Sequence, residues 1–161
     1  MLGLIEPDKD AAAVRVPPPL IFLAIIGIAV AIQFHVSPLT FGMSRALQFG
    51  LAAILALPCV VLLALALAAH LRTGQNPEPW KSTPSILTGG VYAWTRNPIY
   101  LGMALGQAAL GMLFDNGWIL LLTPASMLCV FHLAIRLEEA YLLGKFGRAY
   151  EEYIGNVRRW L

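Results

Sequence analysis

The sequence predicts an all-α fold: a multi-pass transmembrane helical bundle of about four spans. Three observations predict it. Of 161 residues, 58% are hydrophobic and only 12% are charged, with a mean hydropathy of +0.71, whereas soluble proteins carry roughly 25% charged residues. The charged residues gather between four apolar runs, at 20–34, 46–69, 99–114 and 118–135, instead of being spread over a polar surface. Only Asp115, Asn116 and Gly117 separate the third and fourth runs, a turn signal that predicts an antiparallel helical hairpin.

Each segment has its own reason. The N-terminal "MLGLIEPDKDAAAVRV" is acidic and mixed, which does not fit a cleaved signal peptide. A span needs about 20 residues, so the second run is ample, while the others need flanking residues or a thin, tilted bundle. Pro58 and Pro124 lie inside runs two and four and predict kinks that a membrane helix tolerates when neighbours satisfy the freed carbonyl. Cys59 and Cys129 sit in apolar runs, as small hydrophobes do. The stretch "HLRTGQNPEPWKSTPSILTGGVYAWTRNP" breaks regular helix through its middle. So long a loop in a small bundle points to function over a plain connector. The tail mixes charges with aromatic and aliphatic residues at helical spacing, as a helix lying on the membrane or docked under the bundle would. These segments make one domain over residues 1–161: two spans within 1–70, a loop at 71–98, a hairpin at 99–135 and an arm at 136–161.

Charge sets the expected orientation. Arg72, Lys81 and Arg96 fall in the loop and Arg136, Lys145, Arg148, Arg158 and Arg159 in the tail, against Arg45 on the other side. Loop, tail and, with four spans, the N-terminus are therefore expected in the cytosol. The net charge of +2 is too small to suggest a nucleic-acid partner.

Within this frame His132, Arg136 and Glu139 fall at i, i+4 and i+7, one face of a helix leaving the membrane. Such a stripe is either a functional face or a snorkelling Arg-Glu pair. His35, His70 and His132 are far apart and show no metal-ligand spacing, so no metal is expected. No Gly-x-Ser-x-Gly, dinucleotide-binding or phosphate-loop glycine pattern is present. Gly102 and Gly106, four apart, suit close helix packing. Arg96, Asn97, Tyr100, Glu138, Glu139 and the tail tyrosines converge on the expected cytosolic side, where a polar, aromatic pocket beside lipid suits one charged soluble cofactor and one lipophilic substrate.

"LTGGVYAWTRNPIYLGM" followed by "RLEEAYLLGKFGRAYEEYIGNVRRWL" resembles the isoprenylcysteine carboxyl methyltransferase and phospholipid methyltransferase superfamily. The residues that carry the resemblance are Gly90, Tyr92, Arg96, Asn97, Pro98, Tyr100, Gly102, Glu138, Glu139, Phe146, Gly147, Tyr150 and Tyr153, over roughly residues 74–161. The resemblance implies S-adenosylmethionine as cofactor, in a cytosolic pocket under a C-terminal interfacial helix. It implies cofactor contacts from Tyr92, Arg96, Asn97, Pro98, Tyr100, Leu101, Gly102, Glu138, Glu139, Tyr150 and Tyr153, with Arg96, Asn97 and Glu139 closest to the chemistry. Arg136 and Arg158 are left to orient a lipophilic acceptor, or to anchor the chain to membrane lipid. Asn97 stands where the better-known members have His, and Asn does not titrate near neutrality. The tail stops at "VRRWL" where prenylcysteine enzymes continue, so a prenylated acceptor is less strongly implied than the cofactor. The alternative reading is an NADPH-dependent membrane reductase of the sterol-reductase type; a non-enzymatic membrane protein is a third.

Overall fold

A computed structural model describes residues 4–161. Helix α1 (Pro18–His35) starts on two prolines, whose missing N–H groups cost nothing in a first turn. It then runs apolar on every side, with Leu23, Ile28 and Phe34 exposed. Helix α2 (Arg45–Thr73) is capped by Ser44, which accepts from the Leu47 N–H. It continues through Pro58 and leaves Ile54, Leu57 and Val60 uncovered. Apolar side chains exposed on both helices are what lipid-facing surfaces require.

Helix α3 (Pro98–Leu113) packs along α2. A short α4 (Gly117–Leu121) and α5 (Thr123–Val130) come next, then a π turn at Phe131–Ile135 and α6 (Arg136–Phe146). Together they form a helical rod from Gly117 to Phe146, and α1, α2 and this rod are each long and apolar enough to cross a membrane. At 16 residues, α3 is apolar but short, about 24 Å at 1.5 Å per residue. The expected bundle is present, with three full-length candidate spans and a fourth, shorter helix packed within it.

The hairpin turn is built as its residues dictate. Asn116 caps α4 by accepting from Trp118 and Ile119 N–H groups, while Asp115 takes positive φ. Beside it α3 and α4 meet at Gly111, where a Cβ would lie 2.9 Å from the Leu120 backbone nitrogen and 3.2 Å from the Asn116 carbonyl. Gly111→Ala is therefore expected to cost about 1–3 kcal/mol through overpacking against backbone, read as a lowered midpoint of unfolding in detergent.

Two features at the loop end of the bundle were not expected. Residues 4–16 form a strap across the long loop: Asp8 N–H donates to the Trp80 carbonyl, Asp10 accepts from Ser82 and Lys145, and Ala12 and Val14 are buried in the core. The arm also divides. Its first part, α6, prolongs the rod, and Gly147 at φ +52 breaks it, a backbone that side-chain-bearing residues rarely adopt. Helix α7 (Arg148–Asn156) and an extended tail then fold back beneath the bundle.

Candidate active site

Two connected chambers lie at the loop end. The larger, about 300 Å³, is walled by Pro18 of α1, Leu63 and Leu67 of α2, Met103 of α3 and the loop at Pro77–Trp80. The smaller, about 110 Å³, lies among Gln75, Ser85, Tyr141, Tyr150 and Tyr153. Tyr92, Arg96 and Glu138 line both. One chamber is mainly apolar and reaches between the helices; the other is polar and sits under the strap and α7.

Arg96 is held where the loop meets α3. Its backbone N–H donates to the Arg158 carbonyl, and its side chain is 8% exposed. Glu139 Oε1 lies 3.1 Å from Arg96 Nη1, yet among the described residues Nη1 and Nε both lack a well-aligned hydrogen-bond acceptor. The reason lies in the tail: Arg159 takes both oxygens of Glu139 through Nε and Nη2, each at 2.9 Å, and stacks its guanidinium over Phe131 at 5.0 Å. With Glu139 occupied, Arg96 keeps donors free beside the cavities. Buried N–H groups without an aligned acceptor are costly, and an anionic ligand would satisfy them.

Across the shared wall, Glu138 accepts from the Tyr100 hydroxyl. Gln75 adds a second unmet group: its amide donates to Thr73 and Ser85 while Oε1 is buried with no partner among the described residues. The tyrosines close the site. Tyr153 donates to the Tyr92 carbonyl at 2.7 Å. Burial, with the Glu139 charge, pushes Tyr150 up to about 12, so it remains a neutral donor at physiological pH.

The remaining residues named from the sequence fall in different places. Asn97 lines the larger chamber but spends its amide on the Arg159 carbonyl at 3.0 Å, where Thr95 also donates. Pro98 starts α3 in the chamber wall. Neither Leu101 nor Gly102 lines a chamber; a Cβ on Gly102 would meet Leu63 at 3.0 Å, so that position serves the α2–α3 contact. Arg136 and Arg158 are exposed and line neither chamber. Arg136 pairs with His132 at 3.4 Å, while Glu139 turns inward. The expected stripe is thus split within α6, where Arg136 stays at the surface and Glu139 is taken by the two arginines. The described residues contain no cluster fit to hold a metal. Sequence reading passed over His70, Gln75 and the strap residue Ala12, all at the chambers. His70 was visible only as an isolated histidine, and the strap carries no helical period.

An apolar helical bundle with two chambers at one end, the larger mainly apolar, defines the class: a helical membrane protein. The phospholipid methyltransferase family matches residues 47–149, and the chain belongs to that family. It is also similar to a protein-S-isoprenylcysteine O-methyltransferase of Schizosaccharomyces pombe, 37% identical over 68 residues. That alignment spans 42% of this chain and 29% of the relative, less than a third of its length. No solved structure matches. Both matches are to methyltransferases and give the reductase reading no support.

Proposed function

We propose that this chain transfers a methyl group from S-adenosylmethionine to a lipophilic acceptor at the membrane–cytosol interface. The single observation that carries the reading is Arg96, a buried guanidinium paired with Glu139 yet with Nε and Nη1 lacking an aligned acceptor, which lines both chambers together with the Glu138 carboxylate. Arg96 and Glu138 together suit the carboxylate and ammonium of an amino-acid moiety. When bound, S-adenosylmethionine supplies a methyl group on a positively charged sulfur that leaves as a neutral thioether. Gln75 Oε1 suits a hydroxyl or amino group of the nucleoside, and Tyr92, Tyr100, Tyr150 and Tyr153 enclose it. Glu139, Asn97 and Arg159 act as positioning residues: they bind the tail to α3 and α6 and hold Arg96 in place. The apolar wall of Pro18, Leu63, Leu67 and Met103 suits the acceptor's hydrocarbon.

Transfer to a nucleophile in line with the sulfur needs little beyond alignment and exclusion of water. Positioning of that kind supplies on the order of 7–11 kcal/mol of barrier lowering. Lys and Arg are concentrated at the chamber end of the bundle, which supports a cytosolic site. Titration of the purified protein with S-adenosylhomocysteine and, separately, with NADPH tests the reading. S-adenosylhomocysteine is expected to bind and NADPH not; binding of NADPH alone, or of neither, overturns it.

A further inference from the structure

Residues 77–87 of the long loop lie over both chambers. Pro77, Glu78 and Pro79 line the two, while Thr83, Ser85 and Leu87 line the smaller. No residue of this stretch is buried. Glycines in the left-handed region flank it, Gly74 at φ +65 and Gly90 at φ +62, with open space where a Cβ would stand. Ends of this kind absorb the backbone rotation of a hinge.

The bonds that hold the stretch down come from two other segments, the strap and α6. The Trp80 carbonyl accepts from the Asp8 N–H, and Lys81 pairs with the Asp8 carboxylate at 3.4 Å. Ser82 donates to Asp10 at 2.9 Å, and the Thr83 N–H donates to the Tyr141 hydroxyl of α6. Asp10 is itself fixed to α6, accepting from Lys145 and, at its carbonyl, from Tyr141. Ala12 and Val14 root the strap in the core, so the strap can stay while the loop leaves. The clasp lies in water: the side chains of Lys81, Asp8 and Asp10 are 40%, 44% and 61% accessible. Contacts so exposed break and re-form readily. The opposite cover, α7 with the tail, is fastened more firmly, by the buried bond from Tyr153 to the Tyr92 carbonyl and by the two bonds from Arg159 to Glu139.

Space and charge require one of these covers to move. A ligand with a nucleoside and an amino-acid part takes a pocket of roughly 300 Å³ or more, whereas the smaller chamber holds about 110 Å³. The larger chamber reaches between the helices, a route through hydrocarbon that a ligand carrying a carboxylate, an ammonium and a sulfonium cannot take. Entry is therefore from water, past a cover.

We infer that residues 77–87 are a lid over the donor chamber, clasped shut by Asp8 and Asp10 of the rooted strap, and that donor and spent donor exchange by its opening. The inference rests on the methyl-transfer reading and deepens it. The clasp opens whether the chamber is empty or filled, so weakening it speeds entry and exit alike and leaves Kd near the wild-type value. A strap that merely supported the site would behave differently: its loss would speed exit alone and raise Kd.

The test follows labelled S-adenosylhomocysteine entering and leaving the full chain in detergent micelles, with unlabelled compound as chase. Asp10→Ala is expected to raise both rates by about two- to fivefold, with Kd unchanged. In a second variant, Asp10→Cys and Ser82→Cys are joined by a short cross-linker that tethers the lid to the strap. Exchange should stop in the tethered protein and return when the cross-link is cleaved, while each single-cysteine variant given the same reagent keeps exchanging. Unchanged rates in Asp10→Ala, or faster exit with a raised Kd, overturn the inference. So does a tethered protein that exchanges at the wild-type rate, which would place the donor's path at α7. These results leave the methyl-transfer reading standing; wild-type protein that binds no S-adenosylhomocysteine overturns both.

Discussion

Arg96→Ala is expected to abolish donor binding while the protein still inserts and folds. The side chain is nearly buried and lines both chambers, with Nε and Nη1 unsatisfied among the described residues. A charge-assisted contact to a carboxylate in such a place is worth about 2–5 kcal/mol when truncated, on the order of 30- to 3,000-fold in Kd. Arg96→Lys should recover only part of this, because an ammonium keeps the charge and loses the planar fork. Calorimetric titration with S-adenosylhomocysteine reads the effect. Unchanged affinity in Arg96→Ala would remove Arg96 from the site.

Glu139→Ala should produce the next largest loss, by a different route. It lines neither chamber, so no lost ligand contact is expected; instead Arg96 and Arg159 lose their shared partner. The bidentate Arg159 pair is partly exposed, with side chains 36% and 19% accessible, which places the change at roughly 1–3 kcal/mol. The tail should loosen, because Asn97 and Thr95 are left to hold the Arg159 carbonyl without the ion pair. Donor affinity should fall about tenfold or more together with faster hydrogen exchange over residues 157–161. Weakened binding with the tail still protected would mean that Glu139 touches the donor directly.

The helices were legible in the sequence because lipid imposes a simple rule: long runs without charge. The hairpin was equally legible, since Asn116 supplies both the turn and the cap of α4. At the site the sequence brought out Arg96, Tyr100 and the two glutamates but could not tell the glutamates apart. Adjacent residues on a helix point about 100° apart, and only packing decides that Glu138 faces the chambers while Glu139 faces the arginines. The split of the His132–Arg136–Glu139 stripe was hidden for the same reason, since Glu139 is drawn inward by Arg159 of the tail, 20 residues away. The strap was illegible for a related reason. It is held by backbone bonds and by Asp10 meeting Ser82 and Lys145, contacts 72 and 135 residues apart.

Asn97 shows how the structure alters a sequence-level expectation. A histidine there would invite a general-base role, and an asparagine removes it. In this chain the Asn97 amide ties α3 to the tail, while an imidazole stands on α2, across the same chamber, against Tyr92.

The most direct measurement of the central claim is methyl transfer itself. Purified protein is incubated with methyl-labelled S-adenosylmethionine and a total membrane lipid extract, and the label is tracked into the organic phase. The account predicts a labelled lipid with the wild type and none with Arg96→Ala. Folded, monodisperse wild-type protein that leaves every lipid unlabelled would contradict it.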